Sequence, residues 1–459
     1  MRQPKTMQRT LIKELKSKIG EEVQIAAIVD VRRDQGKMAF FDFRDRSGIV
    51  QGVVFGKPEV LEVAKQAPPE SAVLVNGVVN QRPEKMVNAK VQNGDIELEI
   101  TSIEILNKAE GLPFDFDAEL SLEVLLDNRP LTLRRKHERA IFRIQAAITR
   151  CYGEYLRQEG FTEFQAPKLV GGDAEGGAEV FKVGYFNNRD AFLATSPQLY
   201  KQIMVGVFER VFSFATAFRA EKSATTRHLS EYTSLDAEIG FIKDHTDIMR
   251  IETGLMRYLT DYLGKHHQDD LDVLGVALPM IPDGELFPHM KLREAQQLIK
   301  ERTGVDKTNE PDLEPEDERW LCEYSQKELG SDFIFITHYP VSKRPFYTME
   351  DPDDVGFTKS FDLLFRGVEI TTGGQRVHDL ETLKAKATAK GLDPAKFSFY
   401  LQAFEFGIPP HGGWGMGLER LTAKFCGVTN VKEATLFPRD INRIDTLLSK
   451  ADSDDNKNE

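Results

Sequence analysis

The chain has 459 residues, of which 41% are hydrophobic and 29% charged, the texture of a soluble globular protein with room for two to four domains. Lys and Arg number 60 against 73 Asp and Glu, a net charge of −13. That excludes a uniformly basic nucleic-acid coat but not local basic patches, because affinity follows where phosphates are met. No window approaches the ~18 consecutive apolar residues of a membrane span, and the N-terminus has no apolar signal core, so no membrane association is expected. Cys151, Cys322 and Cys426 are odd in number and far apart, without a CxxC pair. They argue against a disulfide framework or zinc knuckle and for a reducing cytoplasm.

The first 18 residues carry Arg2, Lys5, Arg9, Lys13, Lys16 and Lys18 against Glu14. They read either as the solvated face of a short helix or as a contact with a polyanion. From Glu22 to Leu106, short runs rich in Val, Ile and Phe alternate with turn residues, predicting four or five strands and a small barrel. Gly111-Leu112-Pro113 and Asn128-Arg129-Pro130 mark a linker. Beyond Arg134, Ile141, Ile144, Ile148 and Tyr152 recur at helical spacing up to a stop at Gly160. Helical and strand-like runs then alternate as far as a polar, acidic tail, 451–459, expected to be disordered.

Four segments stand out in the larger part. FTEFQAPKLV (161–170) is a helix-to-strand passage that ordinary core packing explains equally well. In FRAEKSATTRHLSEYTSLDAEIGF (218–241), Arg219, Glu221, Arg227 and His228 flank a loop lacking large apolar residues. Strand, cationic loop and strand suit a triphosphate, since arginine holds phosphate bidentately; a salt-bridged surface loop is the plain alternative. In SFDLLFRGVEITTGGQRVHD (360–379), Asp362 and Glu369 stand either side of Arg366-Gly367. A turn there brings together two hard oxygen ligands for magnesium; two exposed acids on an edge strand is the alternative. In GIPPHGGWGMGLERLTAKFCG (407–427), a glycine-rich strand from Gly412 to Gly417 runs into a helix starting near Leu418. A flat ring can lie on such a strand, and Arg420 in the first helical turn can reach a phosphate.

In this order, FRAE with TTRH resembles motif 2, and GMGLERL motif 3, of class II aminoacyl-tRNA synthetases. FTEFQAPKLV resembles motif 1, with Pro167 as its proline. AEGGAEVF (174–181), TSPQLYKQ (195–202), GGQRVHD (373–379) and PPHGGWGMGLERL (409–421) resemble the aspartyl-tRNA synthetases. Only ~120 residues separate motifs 2 and 3 outside the core, which leaves no room for the large bacterial insertion and implies the compact archaeal and eukaryotic type.

The resemblance implies an α+β chain. Its parts would be a basic segment (1–18), an OB-fold anticodon-binding barrel (19–108), a hinge (109–135), a class II catalytic domain on a mainly antiparallel sheet (136–450) and the tail. It implies two-step chemistry: aspartate and ATP give aspartyl-adenylate and pyrophosphate, and the 3′-hydroxyl of tRNA(Asp) takes the aspartyl group. Arg219 would bridge the aspartate carboxylate and the α-phosphate, Glu221 hold the adenine side, Arg227 and His228 contact the β/γ-phosphates and Arg420 the γ-phosphate. Leu229, Glu369 and Gly417 would complete the ATP site. Mg²⁺ would sit on Asp362, Glu369 and Thr372, the last replacing the serine frequent in the family. Lys201 and Arg376 would grip the aspartate side chain, rejecting asparagine because two buried cations would otherwise stand unpaired. Glu175, Ser196, Gln198 and Thr372 would line the same pocket, with Gly171, Gly172, Gly176 and Gly177 forming a closing loop. In the barrel, Phe40 and Gln51 would read the central anticodon base, with Arg33 and Arg44 near phosphate; without the resemblance Phe40 reads as barrel core. Motif 1 implies a homodimer. Whether tRNA(Asn) is also charged stays open, since Ile28 matches neither Trp nor His at that position. Asparaginyl-tRNA synthetase is disfavoured by Lys201, and a synthetase-like asparagine synthetase by the barrel.

Overall fold

The structure is a computed structural model that describes residues 8–89, 91–172, 179–223 and 225–448. The chain divides into two units, Met1–Ala118 and Glu119–Glu459.

In the first unit, β1 (Glu22–Gln35), β2 (Met38–Asp45), β3 (Gly48–Phe55), β4 (Ala72–Gln81) and β5 (Ile96–Asn107) close into a barrel of order β1-β2-β3-β5-β4. The sequence alternation causes this. Val23, Ile25, Ala27 and Val29 are buried, whereas Gln24, Ala26, Ile28 and Asp30 between them are not, so one face of β1 builds the core. Phe41 and Phe43 stack inside with centroids 5.3 Å apart. Gly36, with φ of 61°, supplies the left-handed residue of the tight β1–β2 turn. The basic N-terminal stretch includes a short 3₁₀ helix, Ile12–Lys18, whose Ile12 and Leu15 are buried against the barrel core. Its Lys13 and Lys16 point outward, and Lys16 pairs with Asp95 at 2.9 Å.

The second unit is built on eight strands: β6 (Thr162–Glu163), β10 (Arg210–Phe218), β11 (Glu231–Gly240), β12 (His289–Lys291), β13 (Phe333–Thr337), β14 (Ser360–Phe365), β15 (Val368–Gln375) and β16 (His411–Gly417). Their order is β12-β13-β14-β15-β16-β11-β10-β6, antiparallel through the centre and parallel only at the two edges. A small separate sheet joins β7 (Leu169–Val170), β8 (Lys182–Tyr185) and β9 (Arg189–Leu193). The expected helix spans Lys136–Gln158, and Gly160 takes a left-handed φ of 80° just beyond it. Its Ile141, Ile144, Ile148 and Tyr152 pack with those of helix His245–His266 onto Leu235, Ala237, Leu363, Trp414 and Met416 of the sheet. Each fully buried branched side chain contributes about 1.5–3 kcal/mol, so this helix-backed face carries the unit's stability. Among the described residues no helix is long and apolar enough to cross a membrane. The three cysteines are free and buried.

Candidate active site

The sheet of the second unit has a second face, and alternation decides what it carries. Leu235, Ala237 and Ile239 of β11 point into the helix-backed core, so Ser234, Asp236 and Glu238 point the other way. The register sets Asp236 opposite Gly415 and Glu238 opposite Gly413 on β16, whose Trp414 and Met416 fill the core. Glycine is demanded differently at these positions. A Cβ on Gly413 would lie 2.0 Å from the Ala237 carbonyl oxygen and 2.3 Å from Glu238 Oε2. A Cβ on Gly415 would meet Asp236 Oδ1 at 3.4 Å, an ordinary contact. Gly413 therefore permits strand packing, whereas the bare Gly415 and Gly417 keep the floor of a cavity of ≈ 440 Å³ open.

That cavity gathers Ser196, Gln198, Lys201, Arg219, Glu221, Arg227, His228, Leu229, Glu369, Thr372, Arg376, Gly417 and Arg420, thirteen of the site residues expected from sequence. Glu175, Gly176 and Gly177 lie outside the described residues.

At its buried end, Lys201 of helix Gln198–Phe208 donates to Asp236 Oδ1 at 2.7 Å and to the Trp414 carbonyl at 2.8 Å, with Glu238 Oε2 at 3.5 Å. Arg376 Nε donates to Glu238 Oε1 at 2.9 Å, and Nη2 to the Gly413 carbonyl at 3.0 Å. Contrary to the sequence-based expectation, neither cation waits unpaired. A bare charge this deeply buried would be too costly, and the strand supplies its counter-charge. Burial pushes the Glu238 carboxyl up, but Arg376 and Lys201 together outweigh it and hold the group below the usual carboxylate range. Asp236 and Glu238 were missed from the sequence; two acids at period-two spacing among Leu235, Ala237 and Ile239 were the available signal.

Gln198 is itself held. Its amide donates to Gln202 Oε1 at 3.0 Å, which also accepts from Tyr400 at 3.1 Å. Gln202 Nε2 lies 2.9 Å from His411 Nε2, and His411 Nδ1 donates to the Pro409 carbonyl at 2.8 Å. Burial pushes His411 down to about 4, which fixes it as a neutral acceptor of the Gln202 amide.

Towards the mouth, β10 and β11 form the expected hairpin. Arg219 sits over the Tyr232 ring, 5.5 Å from its centroid, and 3.6 Å from Glu221. His228 Nε2 is 3.4 Å from Glu221. Arg227 donates to Glu318 at 2.8 Å, from helix Pro315–Leu329, and to the Gly367 carbonyl at 3.3 Å. Arg420 donates to the Glu369 carbonyl at 2.8 Å and lies 3.8 Å from its Oε1.

The β14–β15 hairpin turns at Arg366 and Gly367, with φ of 46° and 81°. It pairs Asp362 with Thr372 and Leu364 with Glu369. Thr372 donates to Glu369 at 2.7 Å. Asp362 does not line the cavity; it is buried behind Arg344, which donates to its Oδ2 at 2.7 Å and stacks 4.0 Å from the Tyr339 centroid. Asp362 Oδ1 has no hydrogen-bond partner. Burial, aided by Glu369 and opposed by Arg344, pushes the Asp362 carboxyl up to about 7. Tyr232, Arg344 and Glu318 had no signal in the sequence.

In the barrel unit, Arg33 faces Phe40 across β1–β2, and Asp42 faces Gln51 across β2–β3. Arg33 grips Asp42 with both terminal nitrogens, at 2.8 and 2.9 Å. Phe41 and Phe43 take the core positions, so Phe40 is half-buried on the outer face and its reading as core is corrected. Arg44 is not open to phosphate, being committed to Asp30 at 2.6 Å and to Glu70.

A family model described as tRNA synthetases class II (D, K and N) matches residues 121–441, and one described as an OB-fold nucleic acid binding domain matches 23–106. The chain belongs to the class II tRNA synthetases. It is 44% identical over 440 residues to the aspartate–tRNA(Asp/Asn) ligase of Thermus thermophilus, covering 95% of this chain and 99% of that one. It is 40% identical over 413 residues to the aspartate–tRNA(Asp) ligase of Thermoplasma volcanium, covering 89% and 92%. Among solved structures, asparaginyl-tRNA synthetase of Pyrococcus horikoshii with asparaginyl-adenylate superposes with a TM-score of 0.86 at 31% identity over 95% and 99%. Aspartyl-tRNA synthetase of Entamoeba histolytica gives 0.85 at 30% over 96% and 93%. This synthetase is an ATP-dependent aminoacyl-tRNA ligase.

Gly413 and Gly415 separate a packing role from a cavity role. Gly413→Ala should destabilise the synthetase by about 1–3 kcal/mol or more through overpacking. Gly415→Ala should fold normally and raise KM for ATP, with thermal melts and exchange kinetics as the readouts. Equal melting temperatures for the two variants would contradict the assignment.

Proposed function

We propose that this synthetase is an aspartate–tRNA ligase. The observation that carries the reading is the buried end of the cavity, where two cations and two acids interlock around one open acceptor. Asp236 Oδ2 is buried without a partner, which suits the substrate ammonium. Drawing Asp236 to that ammonium frees Lys201 to turn, with Arg376, to the side-chain carboxylate. Asparagine would instead present amide donors to two donors, an arrangement left unsatisfied in a dry pocket.

The rest of the cavity then orders the chemistry. Arg219, at the end of β10, orients the α-carboxylate against the α-phosphate of ATP and offsets the charge that develops there. A new carboxyl–phosphate bond forms as the bond to pyrophosphate breaks. Arg227, His228 and Arg420 hold the leaving pyrophosphate, and adenine lies on the glycine floor under Tyr232, with Glu221 beside it. In the second step the 3′-hydroxyl of tRNA attacks the aspartyl carbonyl and AMP leaves.

Glu369 and the Thr372 hydroxyl are hard oxygens on the cavity wall that would hold magnesium, with Asp362, paired with Thr372 across the hairpin, behind Arg344 rather than on the wall itself. Among the described residues no group of three or more His, Cys, Asp or Glu side chains could hold a metal, so phosphate oxygens would complete the coordination. Bound there, the ion supplies neutralising charge at the phosphates. The three buried, free cysteines suit a cytoplasmic enzyme.

ATP–pyrophosphate exchange tests the assignment. Aspartate, not asparagine, should drive it, and Lys201→Met should lower kcat/KM for aspartate by about 10²–10³, the effect of losing one member of a buried charged set. Exchange driven by asparagine would overturn the reading.

A second reading, that tRNA(Asn) is charged as well, is favoured by the names of two relatives. The ligases of Thermus thermophilus and Deinococcus radiodurans, 44% and 41% identical, are both called Asp/Asn. Charging assays on the two purified tRNAs decide between them. On either tRNA, Phe40→Ala should raise KM by roughly 5–100-fold, the worth of one base stack, and leave pyrophosphate exchange unchanged.

We also infer a homodimer. Strand β6 is an open edge of the large sheet, and Pro167 and Leu169 just beyond it are exposed, Leu169 by 49%. Light scattering at micromolar protein should return twice the chain mass; a monomer would refute this.

A further inference from the structure

On the helix-backed side of the large sheet, four buried polar side chains from four elements converge without satisfying one another. They are Glu252 on helix His245–His266, Tyr152 on helix Lys136–Gln158, Thr371 on β15 and Trp414 on β16. Both Glu252 oxygens, the Tyr152 hydroxyl, the Thr371 hydroxyl and the Trp414 indole nitrogen are buried with no hydrogen-bond partner. Glu252 is 0% exposed. The Thr371 hydroxyl lies within polar reach of the Glu252 carboxyl and the Trp414 indole within polar reach of the Tyr152 hydroxyl, while Asp236 and Glu252 both act electrostatically on Tyr152. None of the four is part of the cavity on the opposite face.

Two physical facts constrain this group. First, among the described residues no cation acts on Glu252; the one charged group that does is another acid, Asp362 of β14, which the register places on the opposite face of the sheet beside Thr372. A carboxylate there would be buried, unpaired and repelled. Second, the neutral set is rich in donors: indole N–H, two hydroxyls and one carboxylic O–H. Water, which accepts two and donates two, links such groups, and buried water sits where several polar atoms would otherwise be orphaned.

We propose that Glu252, Tyr152, Thr371 and Trp414 form a binding site for ordered water beneath the sheet, with Glu252 present as a neutral carboxylic acid, and that this site seats β15. Glu252 is then a positioning residue, because β15 carries Glu369, Thr372 and Gly373 into the cavity from its other side. Burial pushes the Glu252 carboxyl up to about 8, with Thr371 partly opposing and Asp362 assisting. An unfolded glutamate titrates at about 4.3. The native state therefore holds a proton that the unfolded state has lost across this interval, and stability falls as pH rises from about 5 through about 8.

The experiment uses the full chain with Glu252→Gln, which keeps the size and stays neutral, and Glu252→Leu, which removes the polar atoms. The melting-temperature advantage of Glu252→Gln over the unmodified protein should widen by several degrees between about pH 5 and pH 9. A constant difference overturns the neutral acid. A high-resolution crystal structure should place water within hydrogen-bond reach of Glu252 and of Tyr152 or Thr371; a dry pocket overturns the water site. The positioning role rests on the proposed reaction and is read separately. KM for ATP at pH 7 should rise several-fold in Glu252→Leu and return to normal in Glu252→Gln, and equal values in all three proteins overturn it. Should the Leu variant fail to fold, the pH arm and the crystal structure still decide.

Discussion

Everything in the catalytic unit is arranged around two buried contacts, Lys201 with Asp236 and Arg376 with Glu238. Buried ion pairs are poor sources of net stability, because desolvation consumes most of the Coulombic gain. They are strong sources of position, since breaking one leaves an uncompensated charge at a cost of about 3–5 kcal/mol. Lys201 and Arg376 also donate to the Trp414 and Gly413 carbonyls. Four segments are thereby tied at one place: helix Gln198–Phe208, β11, β16 and the residue following β15. The fold tolerates these charges because every one has its partner in the same layer.

The large sheet separates stability from chemistry by a single-residue alternation. Leu235, Ala237, Trp414 and Met416 carry the hydrophobic gain on one face, while Asp236, Glu238 and the bare glycines serve the other. A slip of one residue in β11 or β16 would exchange the two sets, so register is specified far more strongly here than in an ordinary half-exposed sheet. Gly413 enforces it from the strand side, since its carbonyl and absent Cβ are both committed to the β11 contact and to Arg376.

Local sequence carried much of this. The 134–160 helix was legible from Ile141, Ile144, Ile148 and Tyr152, and the barrel from alternation in Val23 to Val29. Arg219, Glu221, Arg227 and His228 were legible because one hairpin loop holds all four. What stayed hidden was set by distance along the chain. Glu318 meets Arg227 across 91 residues, and Arg376 meets Glu238 across 138. Arg344 lies in a segment with no pattern of its own, and only tertiary packing brings it onto Asp362. Whether Phe40 or Phe41 filled the barrel required the register, which neighbouring aromatics in FFDF leave ambiguous.

The mouth of the cavity repeats the pairing of its floor. Arg219 stands beside Glu221, Arg227 beside Glu318 and Arg420 beside Glu369. A triphosphate entering such a site does not find a pool of positive potential; it displaces acids already in residence. Each arginine it captures releases a carboxylate, and each released carboxylate calls for a cation of its own. In the proposed reaction the cavity would act as an ion exchanger: a nucleotide arriving with its cation would enter as a nearly neutral set, and a bare polyanion would meet repulsion as well as attraction. On that reading, the resting charge pattern would discriminate against bare phosphates before any substrate geometry is tested.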